Sequence, residues 1–321
     1  MSAIAFLEDL SVADVPRAGG KGANLGELAR AGFPVPAGFV VTADAYLEAM
    51  AAAGVRQELL DVASSADADD PVPLAAASDR LHDLVHKAGV PEALREEIVS
   101  AYERIGGGRV AVRSSATSED TADASFAGMN QTFTNVEGGD DLLRRVIECW
   151  ASLYGARVVA YRKARGIVDE PAIAVVVQKM VASERSGVMF TADPTTMKPD
   201  RIVIEAAFGL GEVVVGGEVE PDTYIVAKEW PWAENIRVGV QTHAIISDPA
   251  QGNRRVELTR EEGGRRVLSD ADIVEIAQLG ARIERHYGAP QDVEWAIAGG
   301  DVFVLQSRPI TTLAAPAPEV A

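Results

Sequence analysis

Between Gln291 and Pro309, apolar and polar residues alternate through two short runs separated by Gly299-Gly300-Asp301. That pattern confines the stretch to a β-hairpin. Strand side chains alternate between faces. One face is therefore expected to hold Val293, Trp295, Ile297, Phe303 and Leu305, and the other Asp292, Glu294, Gln306 and Arg308. Glu294 then stands opposite Gln306 only if the loop has three residues, Gly299-Gly300-Asp301, because a two-residue loop turns Gln306 to the apolar side. On this reading an acid, an amide and a guanidinium converge. Carboxylate and carboxamide oxygens suit Mg²⁺, and arginine suits phosphate. A solvated face carrying a charge pair is the alternative.

The first half of the chain reads as mainly helical. Helices are expected over Lys21–Ala31, entered through Gly19-Gly20 and stopped by Gly32, and from an N-cap at Thr42 to Ala53. Others are expected near Leu74–Lys87, Pro91–Ile105 with Pro91 in the first helical position, Asp141–Leu153 and Gly155–Arg165. Ser64–Pro73 reads as a surface loop, and Arg109–Arg113 as a short strand leading into the polar loop Ser114–Ser125. Strands are expected in the second half at Ala172–Val181, Gly187–Thr191, Arg201–Ala207 and Thr223–Lys228, with short strands and loops from Trp230 to Gly264. Apolar residues at helical spacing mark Asp270–Tyr287 as a helix. The expected organisation is an N-terminal lobe over 1–170, a C-terminal lobe over 171–312 and an Ala/Pro tail over 313–321.

Length and charge limit the function. A chain of 321 residues suits one large or two coupled domains, and its 47% hydrophobic and 24% charged residues are ordinary for a globular protein. A net charge of −18 argues against a nucleic-acid partner, which would need a broad basic surface. The longest apolar run, Ala172–Val177, is far short of a membrane span, and the first ten residues carry acids where a signal peptide needs a basic stretch. With Cys149 as the only cysteine, no internal disulfide forms, and a cytoplasmic home is expected. A polyanionic ligand on so acidic a chain must be held by a few local cations, backbone amides and a metal.

Three further clusters bear on chemistry. Ala18-Gly-Gly-Lys-Gly-Ala-Asn-Leu-Gly26 places Lys21 at a helix start, where it can reach a phosphate, and its glycines allow close backbone approach to a ligand. It is not a Walker A loop, which needs Ser or Thr after the lysine. Val112-Arg-Ser-Ser-Ala-Thr-Ser-Glu-Asp120 is followed by Ala124-Ser-Phe-Ala-Gly-Met129, so an arginine leaves a strand before a small-residue loop. Glu205-Ala-Ala-Phe-Gly-Leu-Gly-Glu212 sets an acid at the end of a strand before a glycine turn. Each alone reads equally as an ordinary turn.

Together these motifs resemble the N-terminal nucleotide-binding domain of the phosphoenolpyruvate synthase and pyruvate phosphate dikinase family, which includes rifamycin phosphotransferases. The likeness runs from about Leu10 to Ile310. It takes in Gly20-Lys-Gly-Ala-Asn-Leu-Gly-Glu27, Pro34-Val-Pro-Ala-Gly-Phe39, Val112-Arg-Ser-Ser115, Ser125-Phe-Ala-Gly128, Ser186-Gly-Val-Met-Phe-Thr191, Gln291-Asp-Val-Glu-Trp295 and Leu305-Gln-Ser-Arg-Pro309. The resemblance implies an α/β (α+β) architecture, an ATP-grasp-like two-lobed fold with ATP held between the lobes, and Mg²⁺ as cofactor. It implies phosphate contacts from Lys21 and Arg113, and a phosphate-covering loop with Gly128 and Thr132. Gln178, Lys179, Met180, Val181 and Glu184 would line the adenine and ribose end. Glu294 and Gln306 would hold Mg²⁺, with Arg308 on the triphosphate and Glu205 nearby.

In that family the ATP β-phosphoryl passes to a histidine on a swivelling domain, and a third domain hands it to the acceptor. The sequence shows no stretch resembling either domain. The expected function is therefore an ATP-binding subunit or domain of a dikinase-type phosphotransferase. Its partner is a separate chain or domain carrying the phosphohistidine and the acceptor site, and the final acceptor is a small molecule such as pyruvate, a phenolic compound or an antibiotic. Met129-Asn-Gln131 departs from the glutamine-rich stretch of many relatives. Thr242-His-Ala244 only faintly resembles a phosphohistidine setting and reads as a surface or strand histidine; His82 and His86, one turn apart, read as a helix surface. The alternatives are an ATP-grasp ligase forming an acyl phosphate and a non-catalytic nucleotide-binding subunit.

Overall fold

An apolar run without alternation is the pattern of a strand covered on both faces, and the computed structural model places the run at 172–177 at the heart of a sheet. The structure describes residues 2–117, 131–229, 232–248 and 252–310. They form two units, 2–32 with 37–180, and 33–36 with 181–310. The division falls between Met180 and Val181 rather than at 170/171, because the strand Ile173–Lys179 pairs into the sheet of the first unit.

In the first unit, β1 (Ile4–Phe6), β2 (Gly38–Val41), β3 (Val110–Ala116), β4 (Thr132–Val136) and β5 (Ile173–Lys179) make an antiparallel sheet of order β1-β2-β5-β3-β4. The helices are α1 (Val15–Arg30), α2 (Ala43–Ala52), α3 (Arg56–Ser65), α4 (Pro71–Ala88), α5 (Glu92–Arg104), α6 (Gly139–Ala151) and α7 (Ala156–Ala164). Phe39, Val41, Val175 and Val177 point from one sheet face into a core shared with Tyr46, Leu81, Val146 and Trp150. Val40 and Val176 point the other way, toward α1. A Cβ on Gly22 would stand 3.0 Å from Val40 Cγ2, and one on Gly26 would stand 2.4 Å from Leu10 Cβ. The glycines at 22 and 26 thus seat the helix on its own unit, where the sequence suggested close approach to a ligand.

Local chemistry sets the helix ends. Thr42 caps α2 as expected, accepting from Ala45 N at 3.3 Å. Pro91 is the N-cap of α5 with ψ 148°, one position earlier than expected. The expected loop Ser64–Pro73 shrinks to 66–70, since α3 runs to Ser65 and Asp70 caps α4 through Val72 N at 3.0 Å.

In the second unit, β6 (Arg185–Phe190), β7 (Arg201–Phe208), β8 (Asp222–Ala227), β9 (Ala233–Arg237), β12 (Gln291–Ala298) and β13 (Asp301–Pro309) form an antiparallel sheet of order β13-β12-β6-β7-β8-β9. A separate hairpin pairs β10 (His243–Asp248) with β11 (Gly252–Glu257), and the helices are α8 (Glu212–Val215), α9 (Arg260–Gly263) and α10 (Asp270–Tyr287). A Ser269–Asp272 capping box starts α10 and Gly288, at φ 69°, ends it. Val293, Met189, Ile204 and Tyr224 lie in one cross-strand row on the face toward α10. There Gly280 admits Met189, whose Sδ is 2.4 Å from where a Cβ would stand.

The closing hairpin keeps the expected pairing but reaches it differently. Ala298 pairs with Asp301, so the loop is Gly299-Gly300 alone, at φ 61° and 92°. These positive values are those of the tight two-residue turn that suits strand twist. Register then runs through Trp295↔Val304 and shifts to Glu294↔Gln306, leaving Leu305 as a β-bulge. The bulge, not a longer loop, turns Gln306 to the side of Glu294. As a result Val302 and Val304, rather than Phe303 and Leu305, join Trp295 and Ile297 on the buried side.

Candidate functional site

The lysine motif and the arginine motif of the first unit are one structure. Gly19, at φ 68° and ψ 171°, interrupts α1, so the helix bearing Lys21 restarts at Gly20. Ser115 of β3 clasps this restart. Its Oγ donates to Ala18 O at 2.9 Å and accepts from Gly22 N at 3.2 Å, while Asn24 Nδ2 donates to Gly20 O at 3.0 Å. Arg113 is only 9% exposed and pairs with Val176 on one side and Thr132 on the other. Residues directly opposite share a sheet face, and Val176 faces α1. Arg113, Ser115 and Thr132 therefore lie on the Lys21 side of the sheet. Gln131 anchors the return of the loop, its O accepting from Ser114 N and its N donating to Ser114 Oγ, both at 2.9 Å. Gly128, with the motif 124–129, lies outside the described residues.

The stretch expected at the adenine end divides between the units. In the first, Gln178 is 2% exposed, and its Nε2 has no hydrogen-bond partner among the described residues. Lys179 Nζ donates to Gly107 O and so fastens the glycine turn before β3, and Met180 N donates to Arg109 O at 3.0 Å. In the second, Glu184 accepts from Gly299 N at 3.2 Å through Oε1 and donates through its own N to Ile297 O at 2.9 Å; Val181 is half-buried. The side chains of Lys179 and Glu184 are thus engaged by main-chain groups of their own units.

The second unit gathers its polar residues on the sheet face away from α10. Pairing carries one row from Gln306 to Glu294, Val188, Glu205, Thr223 and Arg237. The adjacent row begins Arg308, Asp292, Phe190. The Arg308 guanidinium donates to Asp292 Oδ2 from both Nε and Nη2 at 2.8 Å. Burial holds the Asp292 carboxyl above its ordinary range although Arg308 pulls it down, and Glu294 pushes it further up. Burial likewise raises Glu205, with Arg237 opposing and Asp292 adding. Asp292 lies on the expected polar face but was not among the expected site residues. Its role in fixing Arg308 follows from the cross-strand pair, and alternation alone already put the two residues on one side.

Whether this face fits Mg²⁺ turns on Gln306. It is 5% exposed, and its Oε1 has no hydrogen-bond partner among the described residues. A buried acceptor left without a donor is costly unless something else satisfies it. An oxygen of this kind beside the Glu294 carboxylate suits a hard cation that takes few protein ligands and completes its shell with phosphate and water. Among the described residues no group of three or more His, Cys, Asp and Glu could hold a metal, His82 and His86 included.

The raised carboxyls give a pH prediction. A carboxyl whose folded pKa exceeds its unfolded value binds its proton more tightly when folded. Its contribution to stability is full below the unfolded pKa, about 4, and is lost as pH rises through the folded value. Glu205→Gln is therefore expected to melt higher than wild type at pH 7, the gap closing toward pH 4. Thermal melts of both proteins across that range check this; a gap independent of pH sinks it.

Cys149 and His243 are poorly placed to act as nucleophiles. Burial pushes the Cys149 thiol far up, more than Lys21 and Arg145 lower it. His243 is 3% exposed at the start of β10, with Nε2 at 3.1 Å from Glu218 Oε2 and Nδ1 at 3.0 Å from Thr242 Oγ1. It is a strand histidine engaged at both nitrogens.

Residues 15–320 match the model of the pyruvate phosphate dikinase AMP/ATP-binding domain, and the chain belongs to that family. It is 46% identical over 317 residues to a protein of Methanothermobacter thermautotrophicus named "Probable phosphoenolpyruvate synthase", covering 97% of this chain and 46% of that one. It is 40% identical over 316 residues to a rifampicin phosphotransferase of Streptomyces, covering 98% of this chain and 36% of that one. The chain thus spans less than half the length of these curated relatives. Among solved structures, an acetyl-coenzyme A synthetase of Korarchaeum cryptofilum matches at 12% identity and TM-score 0.36, over 67% of this chain and 81% of that one. The mixed helix-and-sheet class rests on the chain's own helices and sheets. No helix among the described residues is long and apolar enough to cross a membrane.

Proposed function

We propose that the chain binds Mg·ATP and presents its β-phosphorus to a histidine on a separate domain or chain: the histidine displaces AMP by breaking the α–β bond, and water cleaves the β–γ bond to release phosphate, so that the histidine keeps the β-phosphoryl group. The phosphoryl group then goes to a small-molecule acceptor such as pyruvate, a phenolic compound or an antibiotic. Family membership supports ATP, and the relatives' names, phosphoenolpyruvate synthase and rifampicin phosphotransferase, support transfer. The observation that carries the site is the buried, unpartnered Oε1 of Gln306 opposite Glu294. In this reading Glu294 and Gln306 hold Mg²⁺, which would neutralise charge on the phosphate oxygens. Arg308, aimed by Asp292, and Lys21 with Arg113 bind phosphate oxygens and fix the triphosphate for in-line transfer. Such positioning and charge stabilisation is most of what phosphoryl transfer asks of a protein.

Calorimetry tests the reading. Wild type is expected to bind ATP with Mg²⁺ and to lose roughly tenfold or more in affinity without it. Gln306→Leu, which keeps the volume and removes the acceptor, is expected to erase that difference. A folded sample giving no heat at millimolar nucleotide sinks the proposal. ADP rather than AMP as the product with a histidine-bearing partner present would instead favour an acyl-phosphate-forming ligase.

A further inference from the structure

The first unit holds a hollow that uses none of the residues assigned to ATP. The last turn of α3, the residues after α6, α7 and the connection from Gly166 to Pro171 line a half-open hollow of about 400 Å³. Leu60, Ala63, Leu153, Val159 and Ile167 give it apolar walls. That size, mostly apolar with few polar groups, is typical of small-molecule sites.

Arg162 lines the hollow with no ion pair among the described residues. One of its N–H groups donates to the main-chain oxygen of Asp169. A guanidinium has five such donors and stays charged at neutral pH. The other ionisable groups lining the hollow do not answer it. Tyr154 bonds Tyr46 through its hydroxyl at 2.8 Å, and burial pushes it up to about 12, so it remains neutral. Lys163 is a second cation, spent on Ala66 O. The Asp169 carboxylate forms no ion pair with Arg162 among the described residues; burial lowers the Arg162 pKa, and the field of Asp169 opposes it. The nearby Glu170 carboxylate is held by Arg56, through Nε at 2.6 Å and Nη2 at 2.5 Å. At Arg56 this unit supplies a counter-ion through two bonds. At Arg162 it supplies one carbonyl oxygen.

A part-desolvated guanidinium gains most from a planar anion that takes two of its donors. We propose that this hollow binds a small amphipathic monocarboxylate, its chain over Leu60, Leu153 and Ile167 and its carboxylate on Arg162. The apolar walls favour an anion with an apolar chain over a compact one such as phosphate, most of whose surface would face groups that offer it no hydrogen bond.

Octanoate and octan-1-ol, equal in chain length and differing in charge, are the probes. Saturation-transfer NMR on the whole chain should show octanoate binding with millimolar or tighter affinity, and octanol about tenfold weaker. Arg162→Gln should bring octanoate down to the octanol level and leave octanol unchanged. Ala63→Phe, which fills the hollow, should abolish both. Circular dichroism checks that each variant is folded. If Ala63→Phe does not fold, the wild-type and Arg162→Gln pair decides alone. Equal binding of the two probes, an unchanged octanoate signal in Arg162→Gln, or no octanoate signal at ~10 mM overturns the proposal. ATP binding is not a readout here, so failure of this site leaves the nucleotide reading intact.

Discussion

Arg308→Ala is expected to slow β-phosphoryl transfer by about 10²- to 10³-fold, the usual cost of removing one preorganised charge contact from a transition state. The reason is local. Arg308 is exposed, so the sheet does not need it for packing, yet Asp292 holds its guanidinium through two bonds of 2.8 Å. A positive group fixed that firmly at the surface is aimed rather than buried. Only Arg308 of the pair is exposed, and Asp292 is 15% exposed, so leaving that carboxylate without its partner should cost about 1–3 kcal/mol and lower the melting temperature by several degrees. The residual effect has a sign. Without Arg308 the only influences left on Asp292, burial and Glu294, both raise its pKa. The lost stability should then appear at neutral pH and shrink on acidification. Arg308→Lys keeps the charge but not the planar fork and should fall between wild type and alanine. The measurement is AMP release and label transfer from ATP labelled at the β-phosphorus, with a histidine-bearing partner supplied, beside a thermal melt. Wild-type transfer in Arg308→Ala would mean that this face does not hold the triphosphate. Arg113→Ala is a poorer probe, because at 9% exposure its removal disturbs the sheet as well as any ligand.

Much of this was legible in the sequence where periodicity spans a whole element. The 3.6-residue spacing from Ile273 to Ile283 gave α10 its true limits, Asp270–Tyr287. The alternation of the closing hairpin placed Asp292, Glu294, Gln306 and Arg308 on one face. What sequence could not settle was how the register gets there. A three-residue loop and a two-residue loop with a bulge predict the same Glu294↔Gln306 pair. Only the pairing of Trp295 with Val304 distinguishes them, and it exchanges Phe303 and Leu305 for Val302 and Val304 in the core. Short strands also escaped. β1, β2 and β4 have three to five residues each, too few for a period to declare itself, and their partners lie far off in sequence. The apolar run at 172–177 announced a buried strand but not its sheet, which is why the division between units was expected too early. Glycine spacing misled most. In Gly20-Lys-Gly-Ala-Asn-Leu-Gly26 the pattern reads as a ligand loop, yet two of its glycines exist to let α1 lie on Val40 and Leu10.

Gly19→Ala is the substitution expected to destabilise the chain most sharply for its size, by about 3 kcal/mol or more. Two independent costs add. Backbone at φ 68° and ψ 171° belongs to a region that only glycine occupies freely. A Cβ there would also stand 2.2 Å from Ser115 Oγ and 2.3 Å from Ser115 O. The hydroxyl could rotate away, but it would then give up Ala18 O and Gly22 N, the two bonds that clasp the helix restart. The carbonyl has little freedom, because Ser115 is paired with Ala174 of β5. Relief must come from α1 itself, and that shifts Lys21. Gly32→Ala is the matched control. It too has a positive φ, 78°, but nothing lies within 4 Å of its Cβ position. It should cost about 1 kcal/mol, the conformational term alone. At about 2–4 °C per kcal/mol for a unit of 150–250 residues, such as the one that carries both glycines, the two variants should melt roughly 4–8 °C apart. Mg·ATP affinity separates them further, since only Gly19→Ala displaces the lysine. Thermal melts and calorimetry on the two variants give both readings. If Gly19→Ala matches Gly32→Ala in stability, the clasp between Ser115 and the lysine helix is not what holds Lys21 in place.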